Sequence, residues 1–297
     1  MRPFSLEVLL NTPNMTASPS KNREFRQQLV LSKDGTAVSY QSIGTGTPLV
    51  VIPGALAMAI DYDEFARELA CQFTVHVVNR RGRGESGAQG DDYSVEKECE
   101  DLQAVCTATN ATLLFGHSYG GFVALETALR DSRFTKIALY EPGLSVDGSI
   151  NMDWALQCQA QLDQGKYSDA LVTFIHGLTP ASRSLPRWLF RIIIWFMVKP
   201  QVLQRKYSLL HTAIPEHAEL ARLNNTYPRY HEITAKVLLL VGKEAEPSNP
   251  GFASNKLSSV LQDVTYTQFP KLDHLAPEKS PKEVARAVAE FFTSRDV

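Results

Sequence analysis

A serine hydroxyl is a weak nucleophile near neutral pH, and it attacks an acyl carbon only beside a base that a third group holds in place. Ser118 has the surroundings such chemistry needs. It lies in Gly116-His117-Ser118-Tyr119-Gly120, followed by Gly121. Residues 112–115, Thr-Leu-Leu-Phe, read as a strand buried on both faces, and from Phe122 onward the apolar residues return at helical spacing. A G-x-S-x-G bend between a strand and a helix lifts one hydroxyl above the end of a sheet. Its glycines are required where backbones come too close for a Cβ.

Such a bend needs a sheet beneath it. Residues 28–31 and 37–43 flank Lys33-Asp34-Gly35-Thr36, whose Asp-Gly pair predicts a hairpin. Further strands are predicted at residues 48–52, 73–78, 136–140, 236–241 and 264–269. Helices are predicted between them: residues 62–70 with Asp61 as cap, residues 94–108, and a closing helix with Ser280 as cap, Pro281 in the first turn and Glu283 completing a capping box. Strand and helix in alternation predict a mostly parallel sheet with helices on both faces. The rhythm breaks over residues 144–232. No strand is legible there, only helices around residues 154–164, 168–175 and 186–210. The last contains Trp188, Phe190, Ile192, Ile193, Ile194, Trp195, Phe196 and Met197, an apolar stripe expected to pack on the core and to line part of an apolar pocket.

The 297 residues are 44% hydrophobic, enough for a sizeable core, and the net charge of -2 gives no overall field for nucleic acid or an anionic membrane. A small apolar molecule is the expected partner. Cys71, Cys99, Cys106 and Cys158 form no C-x-x-C pair and have no histidine at ligand spacing, so free thiols in a reducing, cytoplasmic compartment are expected, with no metal. The chain carries no Walker-type loop and no G-x-G-x-x-G before a helix, and no cofactor is expected. Residues 1–26 read as an N-terminal extension. The longest apolar run, residues 188–198, is broken by Arg191 and is too short for stable membrane insertion. A monomer or homodimer is expected.

Taken together, Pro53-Gly54, the loop Arg80-Arg81-Gly82-Arg83-Gly84-Glu85-Ser86, the serine bend, Leu139-Tyr140-Glu141-Pro142, Leu238-Leu239-Leu240-Val241-Gly242 and the late His274 resemble the α/β-hydrolase family. The resemblance runs from about residue 27 to the C-terminus. It implies an α/β-hydrolase fold: a mostly parallel, eight-stranded sheet flanked by helices, with a core of residues 27–143 and 233–297 and a helical cap of residues 144–232. It implies the chain order serine, acid, histidine, which makes His274 the base among seven histidines. His117 adjoins the serine, but on such a bend it points away. The resemblance also implies an oxyanion hole from the backbone N–H groups of Tyr119 and Ala55. For the arginine loop it implies a structural rather than a ligand-binding role.

The acid departs from the family pattern. Where most relatives place it, three residues after Gly242, stands Ala245. Glu244 and Glu246 flank that position, and Glu141 follows the strand expected beside the serine strand. Some relatives, such as zearalenone lactonases, are thought to place the acid at this second point. Glu141, Glu246 and Glu244 therefore all stand as candidates. The resemblance implies a serine hydrolase, an esterase or lactonase. Carbon–carbon hydrolysis, lyase or cyclase chemistry at the same site, or a non-catalytic receptor, are the alternatives.

Overall fold

Eight strands join into one sheet in the computed structural model, which describes residues 24–179, 182, 184–243 and 250–294. They are β1 (Arg26–Leu31), β2 (Ala37–Gly44), β3 (Thr47–Ile52), β4 (Phe73–Val78), β5 (Leu113–His117), β6 (Lys136–Tyr140), β7 (Lys236–Val241) and β8 (Val264–Gln268). Their spatial order is β1-β2-β4-β3-β5-β6-β7-β8. The first two pairings, β1 with β2 and β2 with β4, are antiparallel, and every later one is parallel.

The helices are α1 (Asp63–Leu69), α2 (Val95–Thr109), α3 (Tyr119–Ala128), α4 (Ala155–Asp163), α5 (Tyr167–Leu178), α6 (Arg187–Met197), α7 (Pro200–Arg222), α8 (Pro250–Ser258), α9 (Ala276–Lys279) and α10 (Pro281–Thr293). Successive strand residues point to opposite faces, so each central strand feeds two cores. Val50 and Leu114 pack with Phe122 and Val123 of α3. Their neighbours Val51 and Phe115 pack on the other side with Phe65 of α1 and Val288 of α10. This double burial explains the unbroken apolar runs of β3 and β5. Among the described residues no helix is long and apolar enough to cross a membrane.

Four helices, α4 to α7, lie between β6 and β7, where the sequence lacks strands. The single helix expected over residues 186–210 is in fact two. Val198 is extended (φ -108°, ψ 125°), and α7 restarts with Pro200 in its first turn. A residue before proline is pushed out of the helical region, so Lys199 breaks the run that apolar spacing alone would continue. Asp61 does not cap α1. It belongs to a 3-10 turn, Ala59–Tyr62, where its carboxylate accepts the Met58 N–H (2.9 Å) and pairs with Arg205 of α7 (2.6 Å). Ser280 does precede α10, but it makes no side-chain cap bond. Helices α8 and α9 are additions to the expected elements.

Arg80, Arg81 and Arg83 are all buried, and the loop after β4 is an internal ion cluster. Arg81 pairs with Asp101 of α2 (2.7 Å) and with Asp34 (3.1 Å). Arg80 pairs with Glu98 of α2 (2.7 Å) and with Glu216 of α7 (3.2 Å), and Glu216 also holds Arg83 (2.5 Å). Glu216 is thus a fully buried ionic anchor of the inserted helices in the core. Burial opposes the charge on Arg80, but Glu216 and Glu98 outweigh it and raise the guanidinium pKa. Removing Glu216 strands the buried Arg83 cation and leaves Arg80 with Glu98 alone, a loss of about 3–5 kcal/mol in comparable clusters. Glu216→Ala is expected to lower unfolding free energy in urea by about that amount; a variant as stable as the parent would contradict the anchor role.

Candidate active site

Ser118 joins β5 to α3 with φ 52° and ψ -121°, a conformation that side chains other than glycine's rarely adopt. The bend survives because its neighbours leave no alternative. A Cβ on Gly120 would overlap the Ile52 carbonyl at the end of β3. The Ser118 N–H donates to the Tyr140 carbonyl (3.0 Å), and the Ser118 carbonyl accepts from Gly143 N–H (2.8 Å). Those two bonds bracket Glu141. Strain of this kind gathers at sites where the surroundings over-determine the backbone. The six non-glycine residues with positive φ among the described residues are Leu56, Asn110, Ser118, Glu141, Asp147 and Asn225. Asn and Asp tolerate that region, which leaves Leu56, Ser118 and Glu141 as the costly ones. All three belong to the site.

Glu141 follows β6 and is 2% exposed. Its main-chain N–H donates to the Leu240 carbonyl of β7 (2.9 Å). One carboxylate oxygen accepts the Gly242 N–H (2.8 Å), and the other accepts from His274 Nδ1 (2.6 Å). Gly242 must lack a side chain for this. A Cβ there would sit 2.6 Å from the Leu272 carbonyl and 3.1 Å from the Glu141 carboxylate. Because His274 Nδ1 donates to an acceptor, a neutral His274 keeps the lone pair on Nε2, the state a general base requires. Glu244 and Glu246 lie outside the described residues. Asp273 is turned to its own loop, accepting the Leu275 N–H at 2.9 Å.

The His274 loop is tied to the serine bend by His117. His117 Nε2 donates to the His274 carbonyl (2.7 Å), since a carbonyl can only accept, and the two rings are 4.9 Å apart. Its Nδ1 therefore accepts from the Tyr62 hydroxyl (2.5 Å), which in turn accepts the Gly54 N–H (3.2 Å). Tyr140 adds a second tie, its hydroxyl donating to the Asp273 carbonyl (2.8 Å). Burial, then the nearby His274, holds the His117 imidazole well below its usual pKa. His117 is a neutral strut.

The turn at Pro53-Gly54 faces the bend directly: a Cβ on Gly54 would lie 3.2 Å from Ser118 Cβ. Arg80 clamps it, donating to the carbonyls of Pro53 (3.1 Å) and Gly54 (3.1 Å). A trans peptide points its N–H opposite its carbonyl, so Arg80 also fixes the direction of the Ala55 N–H. The same guanidinium lies over the Tyr119 ring at 4.7 Å. Tyr119 opens α3, so its N–H has no partner within that helix. Leu56, the strained residue after Ala55, is buried with Trp154, Phe174 and Leu210 of the inserted segment. Tyr62, Arg80 and Gly242 are contributors that motif reading did not single out for the site. The sequence signals were there only as a glycine ending β7 and an arginine following β4.

With this geometry in view, the comparisons with known proteins fall in line with the fold. The alpha/beta hydrolase family profile matches residues 49–287, and the chain belongs to that family. It is similar to a solved alpha/beta hydrolase from Sphaerobacter thermophilus DSM 20745, 29% identical, with a TM-score of 0.75 over 90% of this chain and 100% of that one. It is also similar to the N-formylmaleamate deformylase of Pseudomonas putida KT2440, 27% identical over 139 residues, which are 44% of this chain and 52% of that protein. The chain thus spans about half the length of that curated relative. An esterase from Rhodococcus sp. ECU1013 shares the fold at 21% identity, with a TM-score of 0.68 and coverage of 90% and 98%.

A histidine kept neutral in the folded state takes up a proton more readily when unfolded. Stability is then intact above the ordinary imidazole pKa of about 6.5 and declines as pH falls below it. Burial depresses His76 to about 4, and it lowers His217 as well, so both act in the same direction as His117. The thermal midpoint should fall between about pH 7 and pH 5. In His117→Gln, which keeps a donor and an acceptor, the acid-side slope should flatten; an unchanged slope would show that His117 is not a source of the acid sensitivity.

Proposed function

We propose that the protein is a serine hydrolase cleaving an ester, lactone or related acyl bond of a small apolar molecule. Ser118 attacks the acyl carbon while His274 takes the hydroxyl proton and returns it to the leaving group. Glu141 holds the His274 tautomer and stabilises the imidazolium that forms. The N–H groups of Tyr119 and Ala55 receive the developing oxyanion. Water, deprotonated by the same imidazole, then attacks the acyl-enzyme, releasing the acid and restoring Ser118. The observation that carries this reading is the 2.6 Å contact between Glu141 and His274 Nδ1 in a loop bound to the residue beside Ser118. The apolar cluster around Leu56, Trp154 and Phe174 supports an apolar substrate. The deformylase named among the relatives also breaks an acyl bond, which agrees with the reaction class.

Under this reading residues 144–232 act as a cap over residues 27–143 and 233–297, and Glu244 and Glu246 are not the acid. On an activated ester, Glu141→Gln should lower kcat by about a thousandfold or more, as loss of an orienting carboxylate does in comparable triads, and Glu246→Gln should stay within about threefold. The reverse pattern would overturn the acid assignment. Product formed in oxygen-18 water should carry the label in its new carboxyl group. Full turnover without label would instead favour lyase or cyclase chemistry, and recovery of intact ligand would favour a receptor.

A further inference from the structure

Among the described residues helix α6 packs with one face and leaves the other uncovered. Phe190 meets His176 of α5, ring centroids 5.0 Å apart, and Ile194 packs against the apolar cluster of the inserted segment. A second stripe at helical spacing, Trp188, Ile192, Trp195 and Phe196, points outward, with Trp195 66% and Phe196 75% exposed. A surface helix ordinarily keeps its apolar residues to the stripe that faces a core. This one has a core on one side only.

The charges nearby say what covers the other side. Between Asp169 and Glu216 the sequence holds six Lys and Arg residues and no Asp or Glu, in a chain whose net charge is -2. Arg205 and Lys206 are neutralised by Asp61 and Glu278 of the core. Arg191 shares Asp169 from the exposed side of α6, and Lys199 stands exposed just past the end of α6, meeting no carboxylate among the described residues. Tryptophan and phenylalanine flanked by basic residues on a short surface helix suit the boundary between lipid headgroups and acyl chains.

A second copy of the chain suits it poorly. Eleven residues make a helix about 16 Å long. With Trp188 59%, Ile192 44%, Trp195 66% and Phe196 75% exposed, the four outward side chains offer roughly 500 Å², against the ~800 Å² per partner of a stable interface. A two-fold dimer would also bring the two acid-free segments together.

We infer that α6 docks the protein on an anionic lipid surface, with Trp188, Ile192, Trp195 and Phe196 entering the headgroup boundary and Lys199 meeting lipid phosphates or carboxylates. The inference does not depend on the chemistry at Ser118. Of the three tryptophans, Trp154 is buried and Trp188 and Trp195 are exposed, so emission reports the docking face directly. The full-length protein should co-sediment with vesicles of phosphatidylcholine mixed with phosphatidylserine, with a blue shift in tryptophan emission. Binding should weaken at high salt and should be at least about tenfold weaker with phosphatidylcholine alone. The double variant Ile192→Ser/Phe196→Ser keeps both reporter tryptophans and should lose at least about tenfold in binding. The inference is overturned by failure to bind either vesicle, by undiminished binding of the double variant, or by a blue shift that grows with protein concentration in the absence of lipid, which would mean that a second copy covers the face.

Discussion

A carboxylate buried at the end of a β-strand has to be met by donors from elsewhere, and in this protein that requirement organises the site. Glu141 is nearly inaccessible, its backbone sits in a disfavoured region at φ 42°, and both of its oxygens are satisfied, by the Gly242 N–H and by His274 Nδ1. Each donor depends on a different part of the sheet. Gly242 follows β7, the neighbour of β6, and its lack of a side chain is what lets the strand ends close on the carboxylate. His274 follows β8 and is held by two separate backbone ties, one from Tyr140 and one from His117. The pairing of β5, β6, β7 and β8 therefore sets where Ser118, Glu141 and the donors to Glu141 can stand.

The Pro53-Gly54 side of the bend is built by a different kind of interaction. A buried guanidinium, Arg80, binds the two carbonyls of the Pro53-Gly54 turn and lies over Tyr119, so one side chain orients both candidate N–H donors. Its charge is matched by Glu98 below and by Glu216 from the inserted helices. A buried cation between two carboxylates is costly to assemble and rigid once made. The inserted segment is thereby fixed to the very residue that shapes the Pro53-Gly54 turn, and Leu56 strengthens the link by burying its side chain in that segment's apolar cluster.

Much of this was legible in the sequence, because the strongest signals are local. Parallel strands buried on both faces give unbroken apolar runs, the Asp-Gly pair marks the first hairpin, and all eight strands stand within a few residues of where these signals predict them. The serine bend is visible for the same reason, since its glycines are dictated by contacts at the bend itself. What could not be read is what distant residues do to one another. The pairing of Glu141 with His274 joins positions 133 apart, and Arg80 with Glu216 positions 136 apart. Apolar spacing carried the predicted helix straight through residue 199 because one proline weighs little against eight hydrophobic residues, although sterically it decides the matter. The net charge hid in the same way a basic stretch of the inserted segment, which only its position beside exposed aromatics makes meaningful.

The central claim is that Ser118 is made nucleophilic by a histidine that Glu141 holds in place. The most direct measurement is the rate at which a fluorophosphonate attaches to the protein, followed by intact mass and located by peptide mapping. The account predicts a single adduct on Ser118, absent in Ser118→Ala, and formed at least about a hundredfold more slowly in both His274→Ala and Glu141→Gln. An adduct elsewhere, or labelling of Ser118 at full rate without His274 or Glu141, would contradict it.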